Sequence, residues 1–404
     1  MLKNLDRFIG NTVTLFAVMA YFELFMFVMI PSSITALLQV AACALMILLI
    51  ILKLIYQPEN TIRMNFSTSI LILIIGVIPS YFIAQSYHNQ SFLISAFANR
   101  IIWFYVLYFF LHVYKISVKY IIRMILFIGM FAVLLYYIQL TLYPKIILDI
   151  NILEGRGTIR LFVAGMICTQ AAYFYFLNRF FEKNSTIDLI LTLVSLSIFI
   201  LQGTRQLLFA IALLTLVNLF FSRRVKGRVF KIAVFTLASV AVFMIFREIF
   251  IELTRVSTSQ VSDLAGGIRL KAAKFFLTSF QPHELSYIFG NGNSGRGSIY
   301  SQRMTLYTFK YGFYLSDIGV LGDYIRYGIA FVIAGLYMLA KSIMIRVSPE
   351  YRYLKYYIIM QCFTLLTGYG ILGGVDVVLL LILYVFDVDR ANQIKENSVN
   401  RLSI

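Results

Sequence analysis

Apolar residues in this chain come in runs of helix length, broken by short polar stretches, and do not alternate singly with polar ones. Twelve such runs can be drawn, over roughly 10–30, 34–56, 67–85, 93–113, 118–142, 161–180, 187–202, 205–221, 230–247, 312–341, 353–367 and 369–386. About 20 apolar residues in a helix span the hydrocarbon of a bilayer. Only helices or closed barrels satisfy all their backbone polar groups in lipid, and the short alternating strands of a barrel are not the pattern here. The expected fold is an all-α polytopic membrane protein of about 12 transmembrane helices, a single integral-membrane domain over residues 1–404. The first run lacks a small-residue cleavage site after it and reads as a retained anchor.

Two stretches between runs are longer than the rest. One covers 143–160 and contains Glu154-Gly155-Arg156-Gly157-Thr158-Ile159-Arg160. The other covers 248–311 and is the only soluble-looking region. Long loops in compact proteins tend to carry function. Within the second, Lys271 to Leu277 reads as a short amphipathic helix suited to the membrane interface. The glycine-rich stretch Gly290 to Gly297 reads as turns. No internal repeat of the kind that marks many transporters is visible.

Composition sharpens this reading. The 404 residues are 60% hydrophobic and only 13% charged, which leaves no room for a soluble domain of any size. The net charge of +17 is mostly topological. With the N-terminus in the cytoplasm, 21 Lys and Arg fall in inner loops and the tail, against five in the short outer loops. Both termini are therefore expected in the cytoplasm, by the positive-inside rule. The chain carries no nucleic-acid-binding motif. Cys43, Cys168 and Cys362 all lie inside apolar runs, which suggests neither disulfides nor a metal site.

Insertion does not explain the arginines left on the outer side: Arg156, Arg160, Arg205, Arg255, Arg269, Arg296 and Arg303. An anionic ligand outside is a natural reason for them. Arg205 follows the tight connection Gln202-Gly203-Thr204 and opens a helix, where backbone N–H groups and the helix dipole already favour an anion. Its guanidinium adds bidentate donors for phosphate. Snorkelling to lipid headgroups is the competing role. In the next run, Asp317, Asp323 and Arg326 are costly in an apolar helix and should face protein or water. Asp323 and Arg326, three apart, can pair on one face. Asp317 lies nearest the outer surface and is the better acid or base. Glu23 and Asp376 read as buried polar anchors. His283 is a second base candidate, against the more frequent role of a solvated loop histidine. No Cys–His, HExxH or carboxylate-rich pattern suggests a metal.

These residues together resemble the bacterial O-antigen polymerase and O-antigen ligase superfamily, membrane glycosyltransferases of the GT-C type. Gly203-Thr204-Arg205 matches the family's short hairpin with an arginine after small polar residues. Gly267-Ile268-Arg269, leading through an amphipathic stretch to Gly290-Asn291-Gly292, matches its second motif. In the following span, ligases carry His-Asn-x-x-Leu with a glycine eleven residues after the histidine. Here Asp317 stands eleven residues before Gly328, which looks more like repeat-unit polymerases than ligases. The resemblance covers most of residues 60–390.

It implies a substrate of oligosaccharide repeat units on undecaprenyl pyrophosphate, held at the outer face of the bacterial cytoplasmic membrane, with no cofactor and no metal. It implies an inverting transfer in which Arg205 and Arg269 bind the pyrophosphate with Arg156 or Arg160, Arg326 being a further candidate. Asp317 would orient or deprotonate the acceptor hydroxyl, with His283 as the alternative base. A chain-length regulator and a flippase are candidate partners. The competing functions are an O-antigen ligase and a lipid-linked-oligosaccharide flippase or exporter.

Overall fold

The structure is a computed structural model that describes residues 2–24, 32–56, 64–148, 150–155, 158–221, 228–252, 254, 267–365, 370–371 and 376–402. Helices dominate it, as the long apolar runs require. The first eight are α1 (Leu2–Tyr21), α2 (Ser32–Tyr56), α3 (Ser67–Ile75), α4 (Ile78–His88), α5 (Phe92–Ala98), α6 (Arg100–Trp103), α7 (Val106–Tyr114) and α8 (Val118–Leu142). A two-stranded antiparallel hairpin follows, β1 (Asn151–Gly155) with β2 (Thr158–Phe162), in register Leu153 to Arg160. Next come α9 (Met166–Lys183), α10 (Thr186–Leu201), α11 (Arg205–Phe221), α12 (Arg228–Ile245), α13 (Ile268–Thr278), α14 (Leu285–Phe289) and α15 (Ile299–Tyr311). A 3₁₀ turn at Leu315–Ile318 leads into α16 (Val320–Met344), and α17 (Tyr353–Thr364) and α18 (Val377–Leu402) complete the fold.

Among the described residues, four segments are long and apolar enough to cross a membrane: Ile34–Tyr56, Ser67–His88, Val118–Leu142 and Val320–Met344. A fifth, Phe92–Ala98 with Arg100–Tyr114, is bent by 66°. Three shorter apolar helices, Thr186–Leu201, Arg205–Leu219 and Val229–Ile245, accompany them. The protein is a helical membrane protein.

Several boundaries differ from the expected ones for local reasons. The run at 93–113 breaks at Asn99, whose amide Nδ2 donates to the Ser95 carbonyl at 2.8 Å and competes with the helical ladder. The run at 312–341 starts as a helix only at Val320, because residues 315–318 form the 3₁₀ turn. The last run does not stop at 386 but continues as helix to Leu402. The 143–160 stretch, read as loop, holds most of the one β-hairpin among the described residues, within an otherwise all-α fold.

The core follows from α18. Every residue from Val377 to Phe386 is at most 1% exposed, as expected of a helix apolar on all sides. It packs on α7 and α8, while α16 packs on α3 and α17, and α9 packs on α8, α10 and α17. Asp376 anchors the start of α18: its carboxylate accepts from the Leu379 N–H at 2.8 Å and from the Tyr357 hydroxyl at 2.7 Å. That is the buried anchor expected of it. Glu23 departs from expectation: it is exposed, and among the described residues it accepts from Gln39 Nε2 at 3.3 Å.

Candidate functional site

The first part of the site is built where α10 ends and α11 begins. The last carbonyls of a helix have no partner within it. Here the hairpin supplies partners: Thr158 Oγ1 donates to the Leu201 carbonyl at 3.0 Å and Arg160 Nε to the Gln202 carbonyl at 2.8 Å. A cation at a helix C-terminus is favourable. Arg160 is held further by the Phe162 ring, 5.5 Å from its guanidinium carbon. Arg205, half-buried, opens α11 on the other side of the same turn.

Below this turn lies a cleft of about 220 Å³, lined by Arg160, Gln170, Gln202, Thr204, Gln361 and Thr364 together with apolar residues of β2, α9, α11 and α17. Gln361 Nε2 donates to Gln170 Oε1 at 2.8 Å across it. Thr204 and Leu207 line this cleft while Arg205, between them, does not. An apolar groove of about 440 Å³ runs beside it, from Ile200 and Leu208 to Leu219 and Phe235. At a rise of 1.5 Å per residue, the wall from Leu208 to Leu219 is about 16 Å long.

Asp317 belongs to the second part. Half-exposed in the 3₁₀ turn, it makes no side-chain hydrogen bond or ion pair among the described residues. Just after it, the Val320 N–H donates to the Leu365 carbonyl at 2.8 Å. That bond sets the Asp317 turn next to the end of α17, whose Gln361 and Thr364 line the cleft. Helix α13, with Arg269 exposed in its first turn, packs on the same 3₁₀ turn.

Behind the turn, Gly290-Asn291-Gly292 is inserted into a break in α16. The break is at Gly328, with φ 80° and ψ −177°. Asn291 N–H donates to the Ile325 carbonyl at 2.8 Å and Gly292 N–H to the Arg326 carbonyl at 2.7 Å. A Cβ on Gly290 would sit 2.4 Å from the Arg326 oxygen, and one on Gly328 2.1 Å from the Ile288 oxygen. The two backbones therefore touch only because both positions are glycine. The Asn291 amide is fully buried and bonds to Gln281 at 2.9 Å and His88 at 3.1 Å. The His88 ring is stacked at 4.2 Å on Tyr300. Burial raises the Tyr300 phenol well above its ordinary range, so it stays protonated and donates to the Gly292 carbonyl at 3.2 Å.

The residues expected to act are thus distributed unevenly. Of these, Arg160 alone lines the cleft; Arg205 opens the helix after the turn. The Val320–Leu365 bond brings the Asp317 turn to the end of α17, whose Gln361 and Thr364 line it. Arg269 does not line it; its helix α13 packs on the Asp317 turn. Arg326 pairs with Asp323 at 3.6 Å, the structural pairing its spacing suggested. His283 is exposed, accepts from the Leu285 N–H at 3.1 Å and stacks on Tyr87 at 5.1 Å, which is a turn-forming role. Arg156 and Arg255 lie outside the described residues. Gln170, Gln361 and Thr364 were not foreseen. Their only signal is polarity inside an apolar run, which packing alone also produces. Among the described residues no three His, Cys, Asp or Glu side chains gather as metal ligands.

No family model, curated protein or solved structure matches the chain. The region sets arginines and a helix N-terminus beside a cleft that carries amides and hydroxyls, an apolar groove and one carboxylate.

Proposed function

We propose that this protein is a metal-independent, inverting polymerase of undecaprenyl-pyrophosphate-linked oligosaccharide repeat units. In this reading it is a GT-C-type glycosyltransferase with about twelve spans, both termini in the cytoplasm of a bacterium and the site on the outer face of the cytoplasmic membrane. The observation that carries the reading is Arg160 clamped on the Gln202 carbonyl beside the Arg205 turn, above a cleft lined by amides and hydroxyls. The apolar groove that starts one turn below Arg205 supports it, since a polyprenyl tail needs such a wall.

The growing glycan on one lipid pyrophosphate is the donor, and a hydroxyl of a fresh repeat unit is the acceptor. As the hydroxyl oxygen bonds to the anomeric carbon, the bond from that carbon to the phosphate oxygen breaks and the lipid pyrophosphate leaves with the electron pair. Attack from the face opposite the leaving group inverts the anomeric centre. The hydroxyl proton passes to Asp317. Charge growing on the pyrophosphate is stabilised by Arg205 and Arg160, with Arg269 at the rim; losing one such donor costs about 10²–10³ in rate.

The test is the surface-polysaccharide ladder of a strain lacking the protein, complemented with wild type or Arg205→Ala. Loss of all lengths beyond one repeat unit, with single units still delivered and the variant still inserted, is the expected result. Loss of the single unit as well, with lipid-linked precursor accumulating, would overturn the polymerase reading in favour of a ligase or flippase.

A further inference from the structure

At the far end of α16, away from the Asp317 turn, two clefts adjoin. The first, about 480 Å³, is lined by Lys341, Met344, Arg346, Arg390, Gln393 and Ile394 among others. The second, about 590 Å³, shares Arg346 and Gln393 with it and adds Arg352 and Lys355. Five cations from α16, the following turn, α17 and α18 thus face adjoining spaces, and no carboxylate lines either one.

A nearby carboxylate is engaged. Asp389 accepts from the Ser348 N–H at 2.7 Å, from the Ser348 hydroxyl at 2.5 Å and from Gln393 Nε2 at 2.8 Å. Glu350 lines neither cleft. The lysines are anchored too: Lys341 Nζ donates to the Asn65 carbonyl at 2.6 Å and Lys355 Nζ to the Ile343 carbonyl at 2.7 Å. Arg346, Arg352 and Arg390 form no ion pair among the described residues. Membrane insertion asks only for a number of cations in a loop. It does not ask the turn after α16 and the helix α18 to bring their arginines to one pair of clefts.

The level of the clefts identifies the ligand. They open where the 25-residue span Val320–Met344 ends, the depth of lipid headgroups. Their rim is apolar and exposed, with Met344 at 72% and Ile394 at 48%. One turn into the bilayer, Tyr337 is exposed and its ring lies 5.6 Å from the Lys341 ammonium, an interfacial aromatic–cation pair. We propose that these clefts bind the phosphate of an anionic phospholipid in the adjoining leaflet, with Arg346 and Arg390 as its forked donors and the Met344–Ile394 rim against its acyl chains. Arginine suits this role because its planar fork matches phosphate oxygens.

Native mass spectrometry of the purified full-length protein, released from nanodiscs holding equal phosphatidylglycerol and phosphatidylcholine, tests the proposal. The wild type is expected to retain phosphatidylglycerol preferentially. Each arginine near an anionic surface contributes about 1 kcal/mol, so the R346Q/R390Q double variant should lose preference by roughly tenfold to thirtyfold. K119Q/R123Q, which removes two exposed cations on α8, should leave the preference intact. An unchanged preference in R346Q/R390Q overturns the proposal, and so does an equal loss in K119Q/R123Q, which would mean diffuse charge. Displacement of the lipid by millimolar inorganic pyrophosphate without loss of apolar contact at Met344 would assign the site to a free phosphate instead. Should the double variant not fold, R352Q on the exposed turn gives the same comparison for the second cleft.

Discussion

Replacing Gly328 by alanine should undock the Gly290–Gly292 turn from α16. An added Cβ would lie 2.1 Å from the Ile288 carbonyl oxygen, 2.6 Å from the Phe289 carbonyl carbon and 2.8 Å from the Phe289 Cα. All three are backbone atoms, so no side-chain rotation relieves the overlap. The φ of 80° with ψ −177° is a region held almost only by glycine, and an alanine there costs about 1–3 kcal/mol before any clash is counted. The way out is for the turn to leave. It then gives up the Asn291 N–H to Ile325 bond at 2.8 Å, the Gly292 N–H to Arg326 bond at 2.7 Å and the Asn291 amide bond to Ile325 at 3.1 Å. At about 1 kcal/mol net each, the docked arrangement loses roughly 3 kcal/mol. Hydrogen exchange in detergent measures this directly. Protection of the Asn291 and Gly292 amides should fall roughly 100-fold in Gly328→Ala, while amides in the middle of α8 are unchanged. Equal protection in variant and wild type would mean that the interlock is not held by the glycine contact.

Two further perturbations separate structure from chemistry. Asp387 lies fully buried 3.2 Å from His112 Nε2 and also accepts from the Tyr108 hydroxyl and from Asn65 Nδ2 at 2.6 Å. Asp387→Ala strands the buried Tyr108 hydroxyl and the Asn65 amide and should destabilise the fold by about 1–3 kcal/mol for each donor left unpaired, read as a lower melting temperature by fluorescence-detected size exclusion; a melting curve on top of wild type would refute the network. Asp317→Asn keeps the shape of the 3₁₀ turn but removes its basicity, so polymer should shorten or vanish at unchanged melting temperature. Full-length polymer from that variant would exclude Asp317 as the base and leave positioning as the source of rate.

The chain's own pattern was enough to establish a helical membrane protein. Runs of apolar residues near bilayer length have one outcome in lipid, because an unpaired peptide group there costs several kcal/mol. Local chemistry was also readable where it depends on near neighbours: the amphipathic stretch at 271–277 falls within α13, and Asp323 pairs with Arg326 three residues on. Arg160 and Arg205 could be named as outer cations but not joined, since what joins them is a hairpin bonding to the carbonyl end of α10. The same holds for Asn291 with His88, 203 residues apart, and for His112 with Asp387, 275 apart. A period of hydrophobicity records which side of a helix meets apolar surroundings, whatever supplies them. Which helix supplies them, and so which polar groups meet inside, is decided only when close packing selects one arrangement of the bundle.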